Sequence, residues 1–304
     1  MKTDLSVEIC GIRFKNPVIA ASGTFGFGRE YDEYFDISIL GGIATKGLTL
    51  RRREGNPPPR IAETPSGMLN SVGLQNPGVK TFIEDELPWL MEKGTVIIAN
   101  IAGSTMDEYR EMVQILSRTP VHMIELNISC PNVRQGGMAF GSCPGDIKSI
   151  TEYVRPYCKK PLIVKLTPNV MDITECALAA EKGGADVISM INSITGMAID
   201  IETHKPILKN ITGGLTGPAI RPVAMRMVWQ AAKAVNIPII GMGGIWSGSD
   251  AIEFMLAGAY AVSVGTATVS DPLACPRIIK EMEDYALDHG VEKISRLTGT
   301  IIID

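Results

Sequence analysis

The chain has 304 residues, of which 45% are hydrophobic and 20% charged, a composition typical of a soluble globular protein with a sizeable core. Its 33 acidic and 29 basic residues give a formal net charge of -4, and no block of lysine and arginine stands out. Both facts argue against a nucleic-acid-binding protein, which usually needs a basic face.

The six cysteines include no Cys-x-x-Cys pair, so we expect no zinc site, no iron–sulfur cage and no disulfide framework in this chain. The N-terminus shows no secretory leader, and no apolar stretch approaches the roughly 20 residues of a membrane span. These features predict a cytoplasmic protein that does not bind a membrane.

Short apolar runs alternate with helical patterns along the chain. Residues 6–14 predict a small β-hairpin. Strands are predicted at 17–21, 42–46, 96–100, 121–127, 162–166, 186–191, 238–242 and 260–265. Helices are predicted at 84–93, 105–117, 146–158, 172–182, 221–235, 249–257 and 276–289.

Eight strands with intervening helices favour a closed barrel over a doubly wound sheet. The predicted fold is therefore an α/β (β/α)8 TIM barrel with an N-terminal β-hairpin, forming a single domain over residues 1–304. Three connections, 47–82, 130–145 and 193–220, are longer than ordinary loops between strand and helix. Long inserted loops of this kind are usually functional, here as lids and substrate walls.

Every predicted strand ends in residues suited to chemistry, at the end of the barrel where such enzymes place their sites. Taken singly, a glycine there is most often a turn and an asparagine a cap. Lysines ending apolar strands are less ordinary, because an unpaired buried ammonium is costly. Two such lysines, Lys46 and Lys165, predict an anionic or electron-rich ligand. The strand ends are Ser22-Gly23, Lys46-Gly47, Asn100, Asn127 with Cys130, Lys165, Asn192-Ser193, Gly243-Gly244 and Gly265-Thr266.

The last two strands are typical of a phosphate site. Gly243-Gly244 and Gly265-Thr266 each lead into a helix, and glycines let backbone N–H groups approach phosphate oxygens. Barrels commonly bind phosphate after strands seven and eight. The pattern is no Rossmann fingerprint, because Trp246 stands where the final glycine would be.

Cys130 follows the fourth strand on a glycine-rich loop, where its thiol is placed to act as a base or nucleophile over a bound ligand. The other reading is a small buried hydrophobe, which we assign to the remaining five cysteines.

Five motifs resemble the dihydroorotate dehydrogenases, and the likeness covers nearly the whole chain. They are NISCPN at 127–132, GNPPPR at 55–60, NSVGLQNPG at 70–78, KLTPN at 165–169 and TGGLTGPA at 212–219. A cysteine at position 130 and the absence of an N-terminal extension resemble the soluble class 1. Residues 66–77 are more similar to the NAD-linked class 1B than to the fumarate-linked class 1A.

The resemblance implies oxidation of (S)-dihydroorotate to orotate in pyrimidine (UMP) biosynthesis. Cys130 would remove the C5 proton while hydride passes from C6 to N5 of FMN. It also implies a partner subunit carrying FAD and a [2Fe-2S] cluster that passes electrons to NAD, in a heterotetramer of two catalytic and two electron-transfer subunits. The absence of a cluster-type cysteine pattern here is consistent with those centres lying on a partner.

Site residues are carried over from the resemblance position by position. Those for the substrate are Lys46, Asn70, Ser71, Val72, Gly73, Leu74, Asn127, Asn192 and Ser193. Those for FMN are Ser22, Lys46, Gly47, Asn100, Asn127, Lys165, Ile191, Gly217, Gly243, Gly244, Gly265 and Thr266. No metal site is implied.

Four alternatives remain open at this point. A fumarate-linked class 1A enzyme would turn over without a partner. A Schiff-base aldolase would use Lys165. A flavin reductase acting on tRNA would need a basic face, and a barrel without chemistry would leave Lys46, Lys165 and Cys130 unexplained.

Overall fold

The computed structural model describes residues 3–128 and 141–303. Helices separate the third, fourth, seventh to tenth, fifteenth and sixteenth of its strands from one another. The strands of this part of the chain are β1 (Val7–Ile9), β2 (Ile12–Phe14), β3 (Val18–Ala20), β4 (Gly42–Ala44), β5 (Ile61–Thr64), β6 (Gly67–Asn70), β7 (Val96–Ile101), β8 (Met123–Asn127), β9 (Leu162–Leu166), β10 (Val187–Met190), β11 (Ile194–Met197), β12 (Ile199–Asp200), β13 (Lys205–Pro206), β14 (Thr212–Thr216), β15 (Ile239–Met242) and β16 (Ala261–Val264).

The same described ranges contain helices on the outside of the strands. They are α1 (Arg29–Asp32), α2 (Val79–Thr81), α3 (Leu87–Glu92), α4 (Met106–Leu116), α5 (Pro144–Val154), α6 (Ile173–Lys182), α7 (Arg221–Ala234), α8 (Gly248–Leu256), α9 (Thr266–Ser270) and α10 (Ala274–Asp288). Among the described residues, no helix combines the length and the apolar character needed to cross a bilayer.

Eight parallel strands of the described chain close into a barrel in the order β3-β4-β7-β8-β9-β10-β15-β16, with β16 pairing back onto β3. Each barrel strand therefore pairs with the next barrel strand along the chain, which is the arrangement of a (β/α)8 barrel. The strands are buried almost throughout, since one face meets the barrel interior and the other the helices. The predicted barrel and the antiparallel hairpin of β1 and β2 are confirmed.

The predicted helices differ from the observed ones by one or two residues at their ends, except for two that differ more. The stretch predicted at 84–93 starts earlier, with α2, and continues through a π-helical turn at Phe82–Glu86 into α3. The stretch predicted at 146–158 forms α5, which starts at Pro144 and gives way to a 3₁₀ turn at Arg155–Tyr157. Proline is tolerated in the first turn of a helix but lacks the N–H that a helix interior needs, so Pro144 opens α5 and Pro156 helps to end it.

The long connections at 47–82 and 193–220 are not plain loops. They contribute β5, β6, β11 and β14, which pair antiparallel in the order β11-β14-β6-β5. We call these four strands the insert sheet. Its central pairing joins Asn70 to Gly214, so two insertions that are far apart in sequence form one structure. The third long connection, 130–145, lies mostly outside the described residues.

Candidate active site

A cavity of about 320 Å³ opens at the carboxyl ends of the barrel strands, with the insert sheet forming part of its wall. Residues from β5, β6 and β14 face it together with the ends of the barrel strands. The predicted site residues that line it are Ser22, Lys46, Gly47, Asn70, Ser71, Val72, Gly73, Leu74, Asn127, Lys165, Ile191, Asn192, Ser193, Gly217, Gly243, Gly244, Gly265 and Thr266. The structure thus brings these residues together around one space.

Two predicted site residues stand apart from this lining. Cys130 lies outside the described residues. Asn100 is fully buried behind the cavity wall, and its Oδ1 would be 3.0 Å from a Cβ atom built on Gly47. Among the described residues this Oδ1 has no hydrogen-bond partner. A buried acceptor without a partner is uncommon and is best explained by a donor that completes the site.

Lys46 follows β4 and is half-buried at the cavity wall. Burial lowers the pKa of Lys46, and the positive charge of Arg60 lowers it further. Arg60 is held in place because it donates to Gln75 Oε1 over 2.5 Å and to Asn56 O over 3.3 Å. Arg60 does not line the cavity, but its charge acts on Lys46, which does, and a lysine at the wall favours an anionic group there. Arg60 was not among the predicted site residues, although it ends one of the five motifs.

The second lysine, Lys165, is 5% exposed on β9 and lies inside the barrel mouth. In the strand register it stands beside Asn127 of β8 on one side and Ser189 of β10 on the other. Asn192 Nδ2 donates to Asn127 Oδ1 over 3.4 Å. The arrangement places an ammonium group among amides and hydroxyls, which suits a ligand with carbonyl oxygens and ring N–H groups.

Sequence reasoning missed Glu125, which is 2% exposed in the barrel interior. Its Oε2 accepts a hydrogen bond from Asn100 Nδ2, and its Oε1 accepts one from Ser189 Oγ over 2.6 Å. The bond from Nδ2 leaves Asn100 Oδ1 as the atom that is free to accept. The sequence did carry a signal for it, because Glu125 is the one acidic residue in the otherwise apolar run of β8.

Glycines form the cavity wall on the side of β15. Gly243 and Gly244 have φ angles of +125° and +79°, which side chains rarely adopt. A Cβ atom on Gly244 would lie 2.8 Å from both Arg221 Cβ and Gly217 O, and one on Gly243 would lie 2.7 Å from Ala224 Cβ. A side chain at either position would therefore collide with α7 or with Gly217, so this turn can approach α7 so closely only because both residues are glycine. We call Gly217, Gly243 and Gly244 the glycine cradle, and glycine-rich turns of this kind suit a phosphate group.

The loop after β6 forms the opposite wall. Gly73 and Leu74 both have positive φ angles, +76° and +57°, and strain of that kind in a residue other than glycine is often found at ligand sites. Asn56 supports this loop, because its backbone N–H donates to Val72 O and its Nδ2 donates to Ser71 O over 2.8 Å. The loop is thus preorganised before any ligand arrives.

Several lining residues were not predicted as site residues. Gly214 and Thr216 belong to one of the motifs, and Ser263 was detectable as the polar position in an apolar strand. Ile61, Met68 and Val269 gave no signal in the sequence. Gly23 was expected only as a strand end and not as a ligand residue. The lining residues outside the predicted substrate and FMN sets are Ala21, Gly23, Thr24, Ile61, Met68, Gly214, Thr216, Ile220, Met242, Ser263 and Val269.

Comparison with known proteins gives the family of this chain. The family model described as dihydroorotate dehydrogenase matches residues 4–285. The chain is 54% identical over 301 residues to a protein of Thermoanaerobacter pseudethanolicus named dihydroorotate dehydrogenase B (NAD(+)), catalytic subunit, covering 99% of this chain and 100% of the relative. Proteins of the same name from Citrifermentans bemidjiense and Caldicellulosiruptor bescii are 53% and 55% identical, covering 99% of this chain and 99% and 100% of the relatives. The chain therefore belongs to the dihydroorotate dehydrogenase family.

Proposed function

We propose that this chain is the catalytic subunit of an NAD-linked dihydroorotate dehydrogenase, which oxidises (S)-dihydroorotate to orotate in pyrimidine (UMP) biosynthesis. The observation that carries the proposal is full-length identity of 52–55% to proteins of that printed name. The cavity adds independent support, because it combines a cationic side, buried amides and a glycine cradle.

The residues present fit FMN. Gly217, Gly243 and Gly244 leave space and exposed backbone for a phosphate, with Gly265 and Thr266 beside them. Ser22, Gly47, Ile191 and Asn100 are assigned to the ring system, and the unpartnered Asn100 Oδ1 supports this assignment. Lys165 is assigned to the electron-rich edge of the ring, where a cation stabilises the negative charge of the reduced form. FMN, when bound, supplies the acceptor for the hydride that leaves C6 of dihydroorotate.

The remaining residues are assigned to the substrate. Lys46 pairs with its carboxylate, and the neighbouring positive charge of Arg60 strengthens the attraction. The amides of Asn70, Asn127 and Asn192 both donate and accept, as a pyrimidine edge requires. Further contacts are assigned to Ser71, Val72, Gly73, Leu74 and Ser193, which line the cavity.

Cys130 is the proposed base that takes the proton from C5. That proton is acidified by the adjacent carbonyl group but still needs a positioned base, and a thiolate of suitable pKa can serve. Cys130 lies outside the described residues. Its place three residues after Asn127, which lines the cavity, supports the assignment.

The acceptor of the electrons is proposed to be NAD, reached through a partner subunit that carries FAD and a [2Fe-2S] cluster. The relatives' printed names give both NAD and the designation as a catalytic subunit. In residues 3–128 and 141–303 no group of three or more His, Cys, Asp or Glu side chains is arranged to hold a metal ion. We further propose a heterotetramer of two catalytic and two electron-transfer subunits acting in the cytoplasm. The five cysteines of the described chain are free thiols; Cys158, Cys176 and Cys275 are buried as predicted, whereas Cys10 and Cys143 are exposed, so the prediction that they are buried is wrong.

A visible absorption spectrum of the purified chain, recorded anaerobically before and after adding dihydroorotate, tests the proposal. A yellow protein that bleaches is expected. A colourless chain that FMN cannot reconstitute would refute the proposal and favour a Schiff-base aldolase, which borohydride trapping on Lys165 would reveal.

Two further measurements test the base and the acceptor. The Cys130→Ala variant is expected to keep its FMN but lose turnover, and unchanged turnover would contradict the role of Cys130. Efficient reoxidation of the isolated chain by fumarate would identify a class 1A enzyme instead of an NAD-linked one.

A further inference from the structure

Behind the glycine cradle lies a buried carboxylate that the proposed chemistry does not use. Asp250 is 4% exposed in the first turn of α8. Its Oδ2 accepts hydrogen bonds from the backbone N–H groups of Trp246 and Ser247, over 2.8 and 2.9 Å. The side chain of Ser247 accepts from the N–H of Asp250 in return, which completes a capping box.

The second oxygen of Asp250 makes a contact that a capping box does not need. Its Oδ1 forms an ion pair with Arg221, the first residue of α7. The capping box is complete without Arg221, whereas the ion pair connects α8 to a different helix, α7. The carboxylate of Asp250 is buried while the side chain of Arg221 remains 36% exposed, and because burying a charge is costly, the gain from this pair lies in the geometry that it fixes.

The two segments joined by this pair are those that carry the cradle. On one side, Asp250 fixes the turn in which Gly243 and Gly244 lead into α8. On the other, Arg221 follows the 3₁₀ turn Pro218–Ile220 that begins directly after Gly217. Arg221 packs against the cradle itself, since its Cβ would be 2.8 Å from a Cβ on Gly244.

We propose that Asp250, acting through Arg221, is a positioning residue that holds the two glycine segments at the separation required by the phosphate group of the flavin. The inference rests on the proposed function and extends it to two residues that do not line the cavity. Backbone donors bind an anion well only when their directions are fixed in advance, and a shift of about 1 Å can cost about 100-fold.

The test compares two ligands that differ only in the phosphate. Dissociation constants of FMN and riboflavin are measured by fluorescence quenching on the full chain freed of flavin. The Asp250→Asn variant removes the ion pair, and Arg221→Met removes it while leaving Asp250 with its two backbone donors. Both variants are expected to weaken FMN binding by about 10- to 100-fold and riboflavin binding by less than about threefold.

Asp186→Asn is the matched control. Asp186 Oδ2 also pairs with an arginine, Arg155, over 2.6 Å, and accepts from the backbone N–H of Leu162 over 2.8 Å. It lies just before β10, at the end of the barrel away from the cavity. This variant is expected to leave both dissociation constants unchanged.

Three outcomes of the variant measurements overturn the inference. An equal loss for FMN and riboflavin would mean that the pair supports the fold in general, and no loss would mean that the cradle holds without it. A loss confined to Arg221→Met would mean that the arginine meets the phosphate directly. If Asp250→Asn does not fold, Arg221→Met decides alone. A wild-type chain that binds neither ligand would refute the proposed function as well, whereas a wild-type chain that binds FMN and bleaches would limit the failure to the positioning role.

Discussion

Replacing Glu125 tests the polar core of the barrel. In Glu125→Leu the two hydrogen bonds from Asn100 and Ser189 are lost, each contributing about 1.5–3 kcal/mol because the acceptor is charged. Asn100 is then left fully buried with neither its Nδ2 nor its Oδ1 bonded within the described residues. The variant no longer has to desolvate a carboxylate, which offsets part of the loss. We expect the free energy of unfolding to fall by about 3–4 kcal/mol.

Two milder variants grade the effect. In Glu125→Gln the new Oε1 can accept from Asn100 and the new Nε2 can donate to the Ser189 hydroxyl, because a hydroxyl also accepts. We expect a loss below about 1.5 kcal/mol for that variant and about 1.5–3 kcal/mol for Ser189→Ala, which removes one of the two hydrogen bonds to Glu125.

Urea unfolding followed by circular dichroism on the flavin-free chain measures all three Glu125 and Ser189 variants. A Glu125→Leu variant within about 1 kcal/mol of the wild type would refute the reasoning, since the hydrogen bonds would then contribute no more than the desolvation of the carboxylate costs. So would a Gln variant as unstable as the Leu variant.

Two more changes have outcomes fixed by the site. Burial and Arg60 lower the pKa of Lys46, so its ammonium group should lose its proton, and orotate affinity should fall, at a lower pH than for an ordinary lysine. Arg60→Gln should move this fall in affinity to higher pH. Spectral titration of orotate across pH measures the shift, and a move to lower pH would contradict the prediction. The same lowered pKa means that the unfolded chain holds the proton more tightly, so the free energy of unfolding should rise with pH between the lowered pKa and the usual one. Gly244→Ala should weaken FMN binding at least about tenfold, because Gly244 has a φ of +79° and a methyl group there would meet Arg221. Gly145→Ala should not weaken it, because a methyl group at Gly145 meets nothing within 4 Å. Fluorescence quenching measures both variants, and equal effects would contradict the role of the glycine cradle.

The barrel could be predicted from the sequence because its signals are local. Each barrel strand is a short apolar run, and the residues that follow it must lie at the carboxyl end once the strands are parallel. Lys46, Lys165 and the glycine pairs therefore line one cavity, as their positions at the strand ends predict. The motifs then supplied the ring and substrate assignments.

What could not be predicted depends on contacts between distant residues. β14 contains two glycines and two threonines in five residues, which gives no alternating pattern, and it becomes a strand only because β6 and β11 flank it. Glu125 was overlooked for a similar reason, since its partners are on β7 and β10 and nothing in β8 announces them. The pairing of Asp250 with Arg221 likewise joins two helices whose closeness only the fold creates.

The insert sheet makes the two long insertions a single mechanical unit. Asn70 on one insertion donates to Gly214 O on the other over 3.3 Å, and the backbone ladder continues on both sides of this contact. A displacement of either insertion therefore moves the substrate residues of both, and substitutions in the two should combine non-additively. For protein engineering, the two insertions form one module, to be exchanged between relatives together and not one at a time.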